Sequence, residues 1–203
     1  VMNRPDAILF DMDGVLVNSI DGWYQALKDV FNRHLNRELD REVFVQNFWG
    51  RDIREIFSDV GLNLEVGPFC DTVYASHADV VRIFPETTTC LKELISYRKA
   101  VITNTPESCA RRILQTREIE GYFEAIVTSD KVKRAKPAPA IVYEACRILG
   151  VNAKKTLLVG DHEFDMQAGR AAGCTVVGIG VDGDYTLDRL AGLSDVVKIE
   201  EAR

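Results

Sequence analysis

The 203-residue chain lacks the features that would place it in a membrane, on nucleic acid or in a disulfide-built fold. No uninterrupted apolar run reaches the roughly 18 residues of a membrane span, and no signal-peptide pattern opens the sequence. There is no basic excess. Lys and Arg number 25 against 31 Asp and Glu, for a formal charge of −6 and a pI near 5.2. That balance argues against a general binder of nucleic acid or anionic membrane, and leaves room for a local cationic pocket. Cysteine is sparse: Cys70, Cys90, Cys109, Cys146 and Cys174 are scattered, odd in number and free of any Cys-x-x-Cys spacing. They read mostly as small buried hydrophobes, which predicts a reducing cytoplasm over a secreted disulfide framework. No internal repeat or low-complexity segment occurs. What remains is ordinary globular composition, 46% hydrophobic and 28% charged, with length for one large domain or one domain carrying an insertion.

Apolar runs punctuate the chain. Ala7–Phe10, Ala100–Thr103, Ala125–Thr128, Thr156–Val159 and Thr175–Ile179 read as buried strands, and Asp195–Ile199 offers a sixth. Helical patterns alternate with them between the second and fifth, which predicts an α/β fold with a doubly wound, Rossmann-like parallel sheet. Pro106 and Pro139 stand at first-turn positions of two helices, and Gly150 and Gly173 stand where two helices should stop. Nearly ninety residues separate the first two strands, too many for a simple crossover. Within them Trp23, Leu27, Val30, Phe31 and Leu35 recur at helical spacing, as do Ile53, Ile56 and Phe57. Pro68 is expected to open a further helix bearing Phe69, Val73, Tyr74, Val80 and Val81. The division expected is 1–17 core, 18–81 helical insertion and 82–203 core.

Chemistry collects at the strand ends. The first strand closes in Asp11-Met12-Asp13-Gly14, an i, i+2 acid pair that alternation would aim to one side, with glycine free to turn sharply after it. The second ends in Thr103-Asn104, a hydroxyl and an amide able to meet an oxyanion. Lys136 precedes Pro137, which favours extended backbone there. The fourth ends in Gly160-Asp161-His162-Glu163-Phe164-Asp165, two acids at a helix start, where an N-cap aspartate is the plain structural alternative.

In this order the motifs resemble the haloacid dehalogenase superfamily of phosphotransferases, in its phosphoglycolate-phosphatase-like branch with a helical cap. Asp11 through Leu16, Val101 through Asn104, Lys136-Pro137-Ala138-Pro139, Gly160 through Asp165 and Ala168 through Gly173 carry the likeness. The resemblance implies that the first strand is central and the fourth lies beside it. It implies Mg2+ held by Asp11, the Asp13 carbonyl and Asp161, with Asp165 supporting them. Four clustered carboxylates facing a phosphate dianion need such a cation beside Lys136, and oxygen-only ligands suit Mg2+ over zinc. It further implies Asp11 as nucleophile, Asp13 as acid and base, and Thr103, Asn104 and Lys136 on the phosphoryl oxygens.

The expected activity is hydrolysis of a small phosphate monoester, phosphoglycolate first among candidates. A phosphosugar mutase uses the same intermediate and is the alternative; a receiver-like signalling module or an inactive binding protein fits less well. The expected partner is a small phosphorylated metabolite, with no nucleic acid or membrane, for a monomer or homodimer. Substrate choice should reside in the insertion, where Arg51 and Arg54 are candidates to clamp an anionic leaving group, although Arg54 also suits a solvated helix face beside Glu55 and Asp59. His162 stands where relatives often carry Ser or Thr, and reads as a loop histidine satisfied by backbone or water or, alternatively, as a site-edge group giving pH dependence near neutrality. His34 reads as a helix-end residue.

Overall fold

A computed structural model describes residues 4–70 and 74–202. In chain order it forms β1 (Ala7–Phe10), β2 (Val17–Asn18), α1 (Ile20–Leu35), α2 (Arg41–Asn47), α3 (Ile53–Asp59) and a single turn, α4 (Val66–Pro68). A 3-10 segment, Tyr74–Val80, leads to β3 (Arg82–Ile83), α5 (Thr87–Glu93), β4 (Arg98–Thr103) and α6 (Glu107–Thr116). Then come β5 (Ala125–Thr128), α7 (Ala140–Leu149), β6 (Thr156–Gly160), α8 (Glu163–Ala172), β7 (Thr175–Ile179), β8 (Tyr185–Leu187) and α9 (Leu193–Ala202).

Six strands make one parallel sheet in the order β5-β4-β1-β6-β7-β8. Its centre is β1, with Leu9 opposite Ala100 on one side and Leu158 on the other. Successive strands run outward to one edge from β1 and then to the other from β6. The strand order therefore reverses between β1 and β6, and a crevice opens at their C-terminal ends. The inner strands β1, β4 and β6 are buried on both faces, so their alternate residues enter two different cores. Ile8, Phe10, Val101 and Val159 join one cluster, whereas Leu9, Ala100, Ile102 and Leu158 pack with Ile141, Ala145 and Met166 of the covering helices on the other face. This is why the strands read as continuous apolar runs rather than as alternating ones.

The first of those clusters does not stop at the sheet. It runs on through Trp23, Leu27, Phe44, Ile56 and Phe57 of the helical insertion. Two connections tie the insertion to the sheet as a short antiparallel ladder, with Val17 opposite Ile83 and Asn18 opposite Arg82. Helix α2 is capped by Asp40, which accepts from the N–H groups of Glu42 and Val43, and α3 by Asp52. Both satisfy N–H groups that a helix start leaves without a partner.

Three expectations need correction. Asp195–Ile199 is not a strand; it lies inside α9, where Leu193, Val196 and Val197 are buried at i, i+3, i+4 spacing. The sixth strand is Tyr185–Leu187, paired to β7 at the sheet edge. Pro68 does not open the helix: it is the third residue of a turn begun at Val66 that continues as π-helix through Phe69 and Cys70, and Tyr74–Val80 is 3-10, with Tyr74 buried; Val73 lies outside the described residues. Cys90, Cys146 and Cys174 are buried thiols as expected, but Cys70 and Cys109 form a disulfide between the insertion and α6. Their separation of 39 residues gave no spacing signal.

Candidate active site

The crevice at the strand ends gathers side chains from β1, β4, β6 and the loop before α7. Asp11 follows β1 directly and is nearly buried. Lys136 Nζ donates to Asp11 Oδ1 at 2.8 Å, to Asp165 Oδ1 at 2.6 Å and to the Ile102 carbonyl at 3.1 Å. All three ammonium donors are thus satisfied, as a buried lysine requires. Asn104 fixes that lysine. Its side-chain Oδ1 accepts from the Lys136 N–H at 2.9 Å, and its Nδ2 donates to the Lys136 and Gly50 carbonyls. The Asn104 amide is therefore committed to positioning Lys136 and the insertion, and is not free to meet an oxyanion.

Asp13 has a separate set of partners. Its Oδ1 accepts from the Ser19 hydroxyl and from Trp23 Nε1 at 3.2 Å. Its Oδ2 accepts from Thr105 Oγ1 at 2.6 Å and Thr103 Oγ1 at 3.3 Å. Thr103 in turn accepts the Thr105 N–H at 3.0 Å. Ser19, Trp23 and Thr105 are partners of Asp13 that the sequence motifs do not mark. Trp23 read as one member of an apolar stripe, and only Thr105, two residues beyond Thr103, carried a local signal.

Gly14 explains how Asp161 comes so close to the first loop. Its φ is +83°, and a Cβ placed there would lie 1.9 Å from Asp161 Oδ2. Only glycine meets both demands. Asp165 sits at the third position of α8, and His162 is that helix's N-cap. His162 Nδ1 accepts the Phe164 N–H at 3.2 Å, while Asp165 Oδ2 accepts the His162 N–H at 3.1 Å. The N-cap is therefore His162 and not an aspartate; Asp165, at the third helical position, is the other half of a reciprocal capping pair, and the His162 ring is satisfied by backbone and lines the cavity.

From the insertion, Trp49, Gly50 and Arg51 reach the cavity, and Arg54 does not. Arg54 is spent on Asp52 and on the Ser129 carbonyl at 2.7 Å, a strap from insertion to core. Arg51 lines the cavity but bonds Asp59 at 2.6 Å. His34 is exposed in the last turn of α1.

Residues 8–179 match the haloacid dehalogenase-like hydrolases. The chain belongs to that family. A phosphoglycolate phosphatase of Aquifex aeolicus is 30% identical over 211 residues, covering 95% of each chain. A pyrophosphatase PpaX of Bacillus velezensis is 26% identical, covering 97% of this chain and 98% of its own. The crystal structure of β-phosphoglucomutase from Clostridium difficile shares the fold, with a TM-score of 0.82 at 18% identity and 97% of each chain covered.

In this haloacid dehalogenase-like hydrolase the acids sit under strain that a cation would relieve. Carboxylate oxygens of Asp11, Asp161 and Asp165 lie within 4.8 Å of one another. Burial first, then the Asp165 charge, raises the Asp11 carboxyl well above its usual range despite Lys136. Burial and Asp165 likewise push Asp161 up to about 7. Lys136 stays charged: burial alone would lower it, but Asp11 and Asp165 together raise it. Both oxygens of Asp165 are taken, by Lys136 and by the His162 N–H. An all-oxygen cluster with one lysine fits a hard divalent cation on Asp11 and Asp161, with Asp165 supporting from behind.

The raised Asp161 carboxyl sets the sign of a pH effect. It binds its proton more tightly in the folded chain than in the unfolded one, where its pKa is near 3.8. Stability is therefore lost as pH rises from about 4 to about 7. Without divalent cations, Tm is expected to fall by about 5 °C between pH 5 and pH 8. Scanning calorimetry with and without Mg2+ checks this, and added Mg2+ should remove most of the fall, the expected effect of a cation that prefers the folded, ionised site. A metal-free Tm that rises over the same interval contradicts the assignment.

Proposed function

We propose that this hydrolase is a Mg2+-dependent phosphatase that cleaves a small phosphate monoester through an aspartyl phosphate on Asp11. The observation that carries the reading is the division of labour between two acids two residues apart. Asp11 is held through one oxygen by Lys136, and Asp13 is held by donors of its own.

The free oxygen of Asp11 attacks phosphorus while the bond from phosphorus to the leaving oxygen breaks. Asp13 gives that oxygen its proton, then takes one from the water whose attack releases phosphate and restores Asp11. Ser19 and Thr105 hydroxyls can donate or accept, so they serve Asp13 in either protonation state. Thr103 and the Asn104 N–H face the phosphoryl oxygens, and Lys136 balances their charge. Asp11, Asp161 and the Asp13 carbonyl would hold Mg2+, which supplies charge neutralisation at the phosphoryl group. Residues 18–81 act as a cap that closes over the phosphate and excludes water.

The mutase alternative draws on a likeness of fold alone, and no separate observation favours it. A cytoplasmic placement draws on the three buried free thiols and the absence, among described residues, of a helix able to cross a membrane; the Cys70–Cys109 bridge argues the other way.

Steady release of inorganic phosphate from monoesters with Mg2+, and no need for a bisphosphate activator, is the expected result. A chelator should lower the rate roughly 10³-fold, as the loss of several kcal/mol of transition-state stabilisation requires. Undiminished turnover in chelator contradicts the metal assignment.

A further inference from the structure

The substrate's second half is read by the cap, and the cap side of the cavity is apolar. Trp23, Leu27, Phe44, Phe48, Trp49 and Ile56 form it. Its one charged member, Arg51, is already engaged, at 2.6 Å by Asp59, at 3.9 Å by Glu55 and through the Asn47 carbonyl at 3.2 Å. The Gly50 carbonyl is occupied by Asn104. On the core side the other cation, Lys136, is held by Asp11 and Asp165. Four carboxylates, Asp11, Asp13, Asp161 and Asp165, line the same space. A leaving group carrying its own negative charge would face an apolar wall, with no uncommitted Lys or Arg among the described residues that line the cavity. Such a group loses its hydration without replacement.

We infer that the substrate is the monophosphate of an uncharged, apolar alcohol, and not a phosphate ester or anhydride with a second anionic group. The inference rests on the phosphatase reading and sharpens it. It separates this chain from phosphoglycolate and pyrophosphate as substrates, even though both appear in the names of its relatives.

The test compares kcat/KM for n-propyl phosphate, phosphoglycolate and pyrophosphate at saturating Mg2+. The expected result is at least a tenfold preference for n-propyl phosphate over each anionic competitor, a discrimination of the size one unpaired or mismatched group gives. Equal or better turnover of phosphoglycolate or pyrophosphate overturns the inference while leaving the phosphatase reading intact. Phe48→Lys, at a half-buried position on the wall, adds the missing cation. It should move the ratio of phosphoglycolate to n-propyl phosphate up by roughly tenfold, and an unchanged ratio counts against the wall as selector. Phosphate release from none of the three, nor from p-nitrophenyl phosphate, overturns the phosphatase reading itself. The wild-type comparison stands alone if the variant fails to fold.

Discussion

Asp11→Asn is expected to lower kcat by roughly 10⁴-fold or more, the scale seen when a covalent nucleophile is removed, while leaving the fold intact. The amide has the shape of the carboxyl but cannot form the acyl phosphate. Stability should move the other way. Burial and the Asp165 charge make an ionised Asp11 costly, so a neutral group there relieves repulsion, and Lys136 keeps Asp165 and the Ile102 carbonyl as partners. The metal-free variant should therefore melt at or above the wild-type temperature. Stopped assays of phosphate release beside calorimetry separate the two effects. Wild-type turnover in the asparagine protein would remove Asp11 from the chemistry. A collapse in Tm would mean that it serves the fold.

Lys136→Met has the opposite profile, losing both stability and activity. Methionine keeps a long unbranched side chain but leaves Asp11 and Asp165 facing each other without the ammonium that bridges them at 2.8 and 2.6 Å. Removing one partner of a buried ion pair costs about 3–5 kcal/mol, which corresponds to roughly 10 °C in Tm for a chain of this size. Turnover should fall roughly 10³-fold, because a preorganised charge at the phosphoryl oxygens is lost. Saturating Mg2+ should restore part of the Tm and little of the rate. A variant with wild-type Tm and full rate would show that Asp11 and Asp165 do not depend on this lysine.

The strand ends were legible in the sequence because each chemical residue adjoins an apolar run that the sheet must bury. Asp11, Thr103 and Asp161 follow such runs, and in the fold they meet across the point where strand order reverses. Residues that act from a distance were not legible. Ser19 and Trp23 reach Asp13 from the start of α1, six and ten residues along the chain. In sequence, Trp23 is indistinguishable from the core stripe it also belongs to. Arg54 reads in sequence as a substrate clamp or a solvated residue beside Glu55 and Asp59, because its contact with the Ser129 carbonyl is settled by how the insertion meets the core. The five residues Asp195–Ile199 read equally as strand or helix, since a short apolar run carries too few turns to fix its period. The true edge strand, Tyr185–Leu187, is only three residues long and half exposed, and it hides among loop residues. Cys70 and Cys109 lie on elements brought together only by the packing of the insertion against α6.

On the proposed route, phosphate passes through a covalent bond to Asp11. Acid quench of the Mg2+-loaded enzyme during turnover of p-nitrophenyl phosphate, followed by borohydride reduction and peptide mass spectrometry, tests it directly. The acyl phosphate should be reduced, so that residue 11 is recovered as homoserine in wild-type protein and not in Asp11→Asn. An unmodified Asp11 in enzyme that is turning over rapidly, or homoserine at Asp13 or Asp161 instead, would contradict the account.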